Sequence, residues 1–222
     1  MHLRSVPLAI LALATVAYCQ SPATWDADFQ VRYAANLNVG ESYIDIVNTG
    51  YYGVGLLGPG YGAPAGTGNI CVNLYALSTD EQLDACCSCL VTPDQVVSLG
   101  VNSSLLVKTL TGATETSLVI KLIGSNPGAT TCANSAAQVT AANIVTGGFV
   151  AFGTTLHATP TTGVYATTET PFAPAQFITS GATGSNDELH SLTNRCAFIL
   201  GNGSTYGICA GCKSGALGAT KM

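Results

Sequence analysis

Cys86-Cys87-Ser88-Cys89-Leu90 gathers three of the chain's nine cysteines into one short run. On an extended backbone, successive side chains point to opposite faces. Cys87 and Cys89 then share one face and Cys86 takes the other, so the run staples the protein in two directions. Later in the chain, Cys209-Ala210-Gly211-Cys212 forms a C-x-x-C pair. It either closes on itself or reaches two separate partners in the Cys86–Cys89 cluster.

If Cys19 leaves with an N-terminal leader, eight cysteines remain: Cys71, Cys86, Cys87, Cys89, Cys132, Cys196, Cys209 and Cys212. An even number in an exported chain reads as a disulfide framework, with the pairing left open. Two other chemistries compete for the same sulfurs. Cys87 or Cys89, with Cys209 and Cys212, offers thiolates to zinc, although oxidation competes outside the cell. A redox C-x-x-C normally opens a helix that lowers a thiol pKa, whereas Lys213-Ser214-Gly215-Ala216-Leu217-Gly218 is Gly-rich and a poor helix. Disulfides are expected, with no metal ion and no cofactor.

Around the cysteines the pattern is one of short strands. Phe29, Val31 and Tyr33 alternate with Gln30 and Arg32. Ile44 and Ile46 face opposite to Asp45, and Asn48-Thr49-Gly50 ends that strand as a turn. Ile70, Val72, Leu74 and Ala76 share a side, and Leu118, Ile120 and Leu122 alternate with Val119 and Lys121. Cys89–Val91, Val96–Leu99 and Ser103–Val107 read as further short segments. Phe149–Thr155, Val164–Thr167 and Gln176–Thr179 read as weaker strands. Thr79-Asp80-Glu81-Gln82-Leu83 reads as a single capped helical turn. One true helix is expected late, capped by Ser185 or Asn186, with Asp187 and Glu188 at its positive end. Leu189, Leu192, Cys196 and Ile199 form its apolar stripe and Gly201 ends it. Cys196 on that stripe favours a staple from helix to sheet. Many short strands separated by Gly, Pro and Asn turns predict a mainly β protein: a single β-sandwich, jelly-roll or Ig-like, with one C-terminal helix.

The N-terminus reads as a secretory leader. Arg4 precedes the apolar run Val6–Ala17, which is followed by small residues and then Gln20-Ser21-Pro22. Cleavage after Ala17 or Cys19 fits, and Tyr18 argues against a lipidated Cys19. The expected organisation is a signal peptide over 1–19, one β-rich domain over 20–218 and a disordered tail over 219–222. No later segment reaches membrane-spanning length without a break. Secretion, or display at the cell surface, follows.

Only 9% of residues are charged and the formal net charge is −5. Lys and Arg beyond the leader are scattered, which excludes nucleic acid as a partner because that requires clustered cations. A Thr-, Ser-, Asn- and Gly-rich exterior repels its own copies weakly. Gly50–Gly68 interleaves Tyr51, Tyr52 and Tyr61 with glycine, which suits a self-assembly surface. A segment such as Asp28–Val39 is an alternative contact, added as a strand to a neighbour.

Catalytic signatures are thin. His190 lies three residues from Asp187, and His157 stands apart. No Gly-x-Ser-x-Gly elbow occurs, and no Lys-Ser/Thr follows the glycines as a phosphate cradle requires. Asp45, Asp84, Glu115 and Glu169 are carboxylates without a glycosidase signature, and catalytic residues are not expected. Asn102-Ser103-Ser104 and Asn202-Gly203-Ser204 match the N-glycosylation pattern.

Asn69–Asn73, Asp80-Glu81-Gln82, Cys86-Cys87-Ser88-Cys89-Leu90 and Thr92-Pro93, with the late stretch Arg195-Cys196 to Cys212, resemble a set of uncharacterised secreted bacterial cysteine-rich proteins. That resemblance implies export and a shared cysteine framework. The function expected is an extracellular structural or surface protein without catalytic activity that assembles with itself. A ligand- or glycan-binding β-module and a secreted enzyme are the alternatives. Trp25, the single tryptophan, lies near the N-terminus, a poor place for a pocket floor.

Overall fold

The computed structural model describes residues 27–54, 67–127, 132, 135–176, 187–202 and 206–214. In chain order the strands are β1 (Phe29–Ala34), β2 (Tyr43–Asn48), β3 (Ile70–Leu77), β4 (Leu83–Val91), β5 (Val96–Gly100), β6 (Leu118–Ser125), β7 (Phe149–Ala158), β8 (Tyr165–Pro171), β9 (Ala173–Pro174) and β10 (Lys213–Ser214); the helix α1 spans Glu188–Gly201. They form two antiparallel sheets, one in the order β4-β3-β6-β1-β9 and the other β10-β5-β2-β7-β8. The leader, Trp25, Tyr61, most of the expected Gln176–Thr179 strand and the tail lie outside the described residues.

Period-two alternation builds the core. Val72, Leu74 and Ala76 of β3 and Leu118, Ile120 and Leu122 of β6 face Ile44 and Ile46 of β2 and Val97 and Leu99 of β5. The opposite face of the first sheet, with Tyr75, Leu77 and Ile123, packs against Leu189, Leu192, Cys196 and Ile199 of α1. The first sheet is therefore covered on both faces, and all eight residues of β3 are buried. Each large apolar side chain so buried stabilises by about 1.5–3 kcal/mol.

Four disulfides close: Cys71–Cys132, Cys86–Cys196, Cys87–Cys209 and Cys89–Cys212, with Cα–Cα separations of 5.5, 5.9, 5.3 and 5.7 Å. Cys86 reaches α1, while Cys87 and Cys89 turn the other way and take one cysteine each of the C-x-x-C pair. These bonds use every thiol that the zinc and redox alternatives require. The segment they hold runs along the β4 edge, where the Cys86 N–H donates to the Gly207 carbonyl (2.9 Å). It then joins the second sheet as β10, beside β5. One side of the sandwich is thus shut.

The other side is shut by polar side chains of β1. Gln30 and Arg32 point inward and are buried. Gln30 Nε2 donates to the Phe149 carbonyl (2.9 Å) and its Oε1 accepts from the Ala151 N–H (3.2 Å). The Arg32 guanidinium donates to the Thr154 carbonyl (3.3 Å) and Thr155 Oγ1 (2.8 Å). It lies over Gly153, where a Cβ would stand 1.6 Å from Nη1. Burial lowers the Arg32 pKa, and Glu169 of β8 opposes that shift. At the far end of β2, buried Asn48 donates to the carbonyls of Gly68 (2.8 Å) and Val91 (2.9 Å), tying the sheets together there.

Three local expectations are corrected. Residues 78–82 form a β-hairpin turn, not a helical one: the Ser78 N–H donates to the Gln82 carbonyl (2.9 Å) and Glu81 sits at φ +68. Ser103–Val107 is not a strand, because Val101–Leu105 winds as a π-turn in which the Leu106 N–H reaches the Val101 carbonyl (3.0 Å). The Glu41 carboxylate caps that turn, accepting from the N–H groups of Asn102 (2.8 Å) and Ser103 (2.9 Å). Finally, α1 is capped by Asp187, which accepts from the His190 N–H (2.6 Å), a contact worth about 1 kcal/mol. Ser185 and Asn186 lie outside the described residues.

Candidate assembly edge and acidic pocket

The expected strand donor, Asp28–Val39, is partly taken up within the sandwich. Its strand β1 pairs with β6 along its whole length and with β9 at residues 30–31. The long open edge is β8. Among the described residues it pairs with β7 alone, and Tyr165 through Thr170 are exposed on both faces. With His157 and Ala158 also exposed, the end of the β7–β8 hairpin stands clear of the sandwich as an arm.

The arm is anchored at its base. Pro171 ends β8, and the buried Phe172 donates its N–H to the Ala151 carbonyl (2.8 Å) before the chain crosses to the first sheet as β9. That bond and the β7–β8 register set the alternation: Ala166, Thr168 and Thr170 bond inward to β7. Tyr165, Thr167 and Glu169 hold their N–H and C=O groups outward, and Pro171 falls at an outward position, where its missing N–H costs nothing. Thr and Tyr favour extended backbone. Proteins usually blunt such an edge with charges, proline, a bulge or a cover; along β8 there is one charge, Glu169, and a proline only at the end.

Of the three tyrosines expected to form a contact surface, Tyr61 lies outside the described residues. Tyr52 packs over Gly148, which sits at φ +91, and donates its hydroxyl to the Thr146 carbonyl (2.8 Å). Its role is to pin the loop. Tyr51 is 70% exposed and meets Tyr52 edge-on at 5.1 Å, so of the pair it is the one that offers contact area.

The carboxylates separate. Asp45 is buried on β2 beside Ser98, and Glu169 is on the arm. Asp84 of β4 lines a pocket of about 600 Å³ between the β3–β4 turn and α1, together with Asp80, Glu81, Leu110, Arg195 and Phe198. Asp84 is 3% exposed and its Oδ2 has no hydrogen-bond partner among the described residues. Burial pushes its pKa up to about 6, and the negative charges of Glu115 and Asp80 add to the shift. Asp80 is held low instead, first by the hydrogen bond from Ser78. Arg195 spends its Nη1 on the Glu81 carbonyl. Sequence reasoning named Asp84 and Glu115 but had no signal that the fold would bring them within range of each other.

The remaining polar candidates are engaged locally. The His157 ring meets Thr168 Oγ1 (2.8 Å) across the arm, and the His190 ring meets Asn194 (2.7 Å) along α1. Asp187 bonds the His190 backbone, not its ring. Asn102 Nδ2 holds the carbonyls of Leu37 (3.0 Å) and Gly40 (2.9 Å), so its amide is not presented for glycosylation.

Fold and staples define a disulfide-locked, two-sheet β-sandwich protein with an open-edged hairpin arm. No protein-family model, curated protein or solved structure matches the chain. No helix among the described residues is long and apolar enough to cross a membrane.

Proposed function

We propose that this chain is an exported structural or surface protein, without catalytic activity, that assembles with its own copies through the β8 edge. The leader-like N-terminus supports export, and four disulfides fit an oxidising compartment. The observation that carries assembly is β8 itself: a seven-residue Thr-rich strand, open along one side among the described residues, with its outward N–H and C=O groups aligned. Such an edge binds a strand by main-chain hydrogen bonds. With 9% charged residues, little repulsion keeps copies apart.

Thr167→Pro removes an outward N–H while leaving the bonds to β7 in place, so it tests the edge without dismantling the arm. Sedimentation and electron microscopy of the purified protein should show concentration-dependent oligomers or filaments, reduced at least tenfold by Thr167→Pro and unaffected by Thr167→Val. A strict monomer at every concentration, or assembly indifferent to Thr167→Pro, refutes the reading.

A further inference from the structure

The pocket beside α1 has features that an assembly edge does not use. Its volume of about 600 Å³ falls in the range of small-ligand sites. Leu83, Leu110, Phe198 and Ile199 give it apolar walls, and Phe198 is 66% exposed. Three carboxylates, Asp80, Glu81 and Asp84, line it against one cation, Arg195, which is tied to a main-chain carbonyl. Deepest among the acids, Asp84 is buried with an unpartnered oxygen. A buried carboxylate is normally paired; Asp84 lines the pocket with Oδ2 buried and unpaired among the described residues, so a donor entering the pocket has a carboxylate to meet once the side chain turns toward it. The three carboxylates are not gathered into a metal-ligand set among the described residues, and the apolar wall beside Asp84 suits an organic cation with an apolar stem.

We propose that this pocket binds a small organic cation, a primary amine on an alkyl stem, with Asp84 as its charge partner and Phe198 and Leu110 against the stem. The amine donates to the Asp84 carboxylate, and the chain of methylenes covers the apolar wall. The site is independent of the assembly edge and is read on dilute subunits.

The experiment is a calorimetric or NMR titration of the full disulfide-bonded protein at pH 8, where Asp84 is ionised. The probes are n-pentylamine, n-pentanol as its neutral counterpart, and a blocked lysine. Saturable binding of pentylamine is expected, at least tenfold tighter than pentanol and weakened at least tenfold by Asp84→Asn. Phe198→Ser, at an exposed position that does not threaten folding, should weaken it several-fold. Blocked lysine binding as well as pentylamine assigns the cation to a polypeptide side chain, and pentylamine alone assigns it to a free amine. Absence of saturable pentylamine binding, equal binding of pentanol, or equal binding by Asp84→Asn overturns the proposal.

Discussion

Asp84 holds a buried carboxyl whose Oδ2 finds no partner among the described residues, and its burial makes stability depend on pH. Its folded pKa of about 6 lies above the unfolded value of 3.8, so the folded chain holds the proton more tightly. The group's contribution is full below about pH 4 and is lost as pH rises through 6, leaving an ionised form that costs on the order of 1–3 kcal/mol. Asp84→Asn should therefore melt several degrees higher than wild type at pH 7.5 and show no gain at pH 3.5. Thermal unfolding at the two pH values checks this, and an equal effect at both would remove burial as the cause. The sequence named Asp84 only as one acid among several, because its environment is assembled from β4, a turn and α1. The same limit applies to β1. Alternation showed that Gln30 and Arg32 share a face, but period two cannot say which face is buried. Their inward orientation comes from β7, more than a hundred residues away, whose carbonyls accept their protons.

At the level of elements, the strongest reading from sequence was the two-way geometry of Cys86, Cys87 and Cys89, since it needs only the pleat of one strand. The apolar stripe of α1 was equally legible for the same reason: both are local periodicities. The turn at 78–82 was not. Thr79-Asp80-Glu81 carries the residues of a helix start, but Leu77 and Leu83 are strand partners, and pairing prevails over capping propensity. The π-turn at Val101–Leu105 depends on a carboxylate from Glu41, a contact with no local signature. The exposed nature of β8 was equally invisible, because Val164–Thr167 reads as a strand whether or not a neighbour covers it. Its alternation predicts a hydrogen-exchange pattern. In the dilute protein the amides of Thr168 and Thr170 should exchange slowly, and those of Thr167 and Glu169 at near-free rates. In the assembled state Thr167 and Glu169 should become protected. Uniform protection along β8 in the monomer would show that something else covers the edge.

For the molecule as a whole, three of the four staples start from β4 and close loops with sequence separations of 110, 122 and 123 residues. Loops of this length stabilise by about 4–5 kcal/mol each on entropic grounds, less when nested. The apolar core lies in two layers, one between the sheets and one under α1, and bridging cysteines sit in both, so reduction should lower the melting temperature by well over ten degrees. A melting curve indifferent to reductant would show that the bridges add nothing. The remaining stretch, from Cys132 to Cys196, contains β7, β8 and β9 and is crossed by no bridge of its own. A mechanical load taken by the hairpin can therefore draw out that stretch alone before covalent bonds arrest it. The body behaves as a buckle with a bounded length of slack, and extension under force should stop at that length in an oxidised specimen and run on in a reduced one.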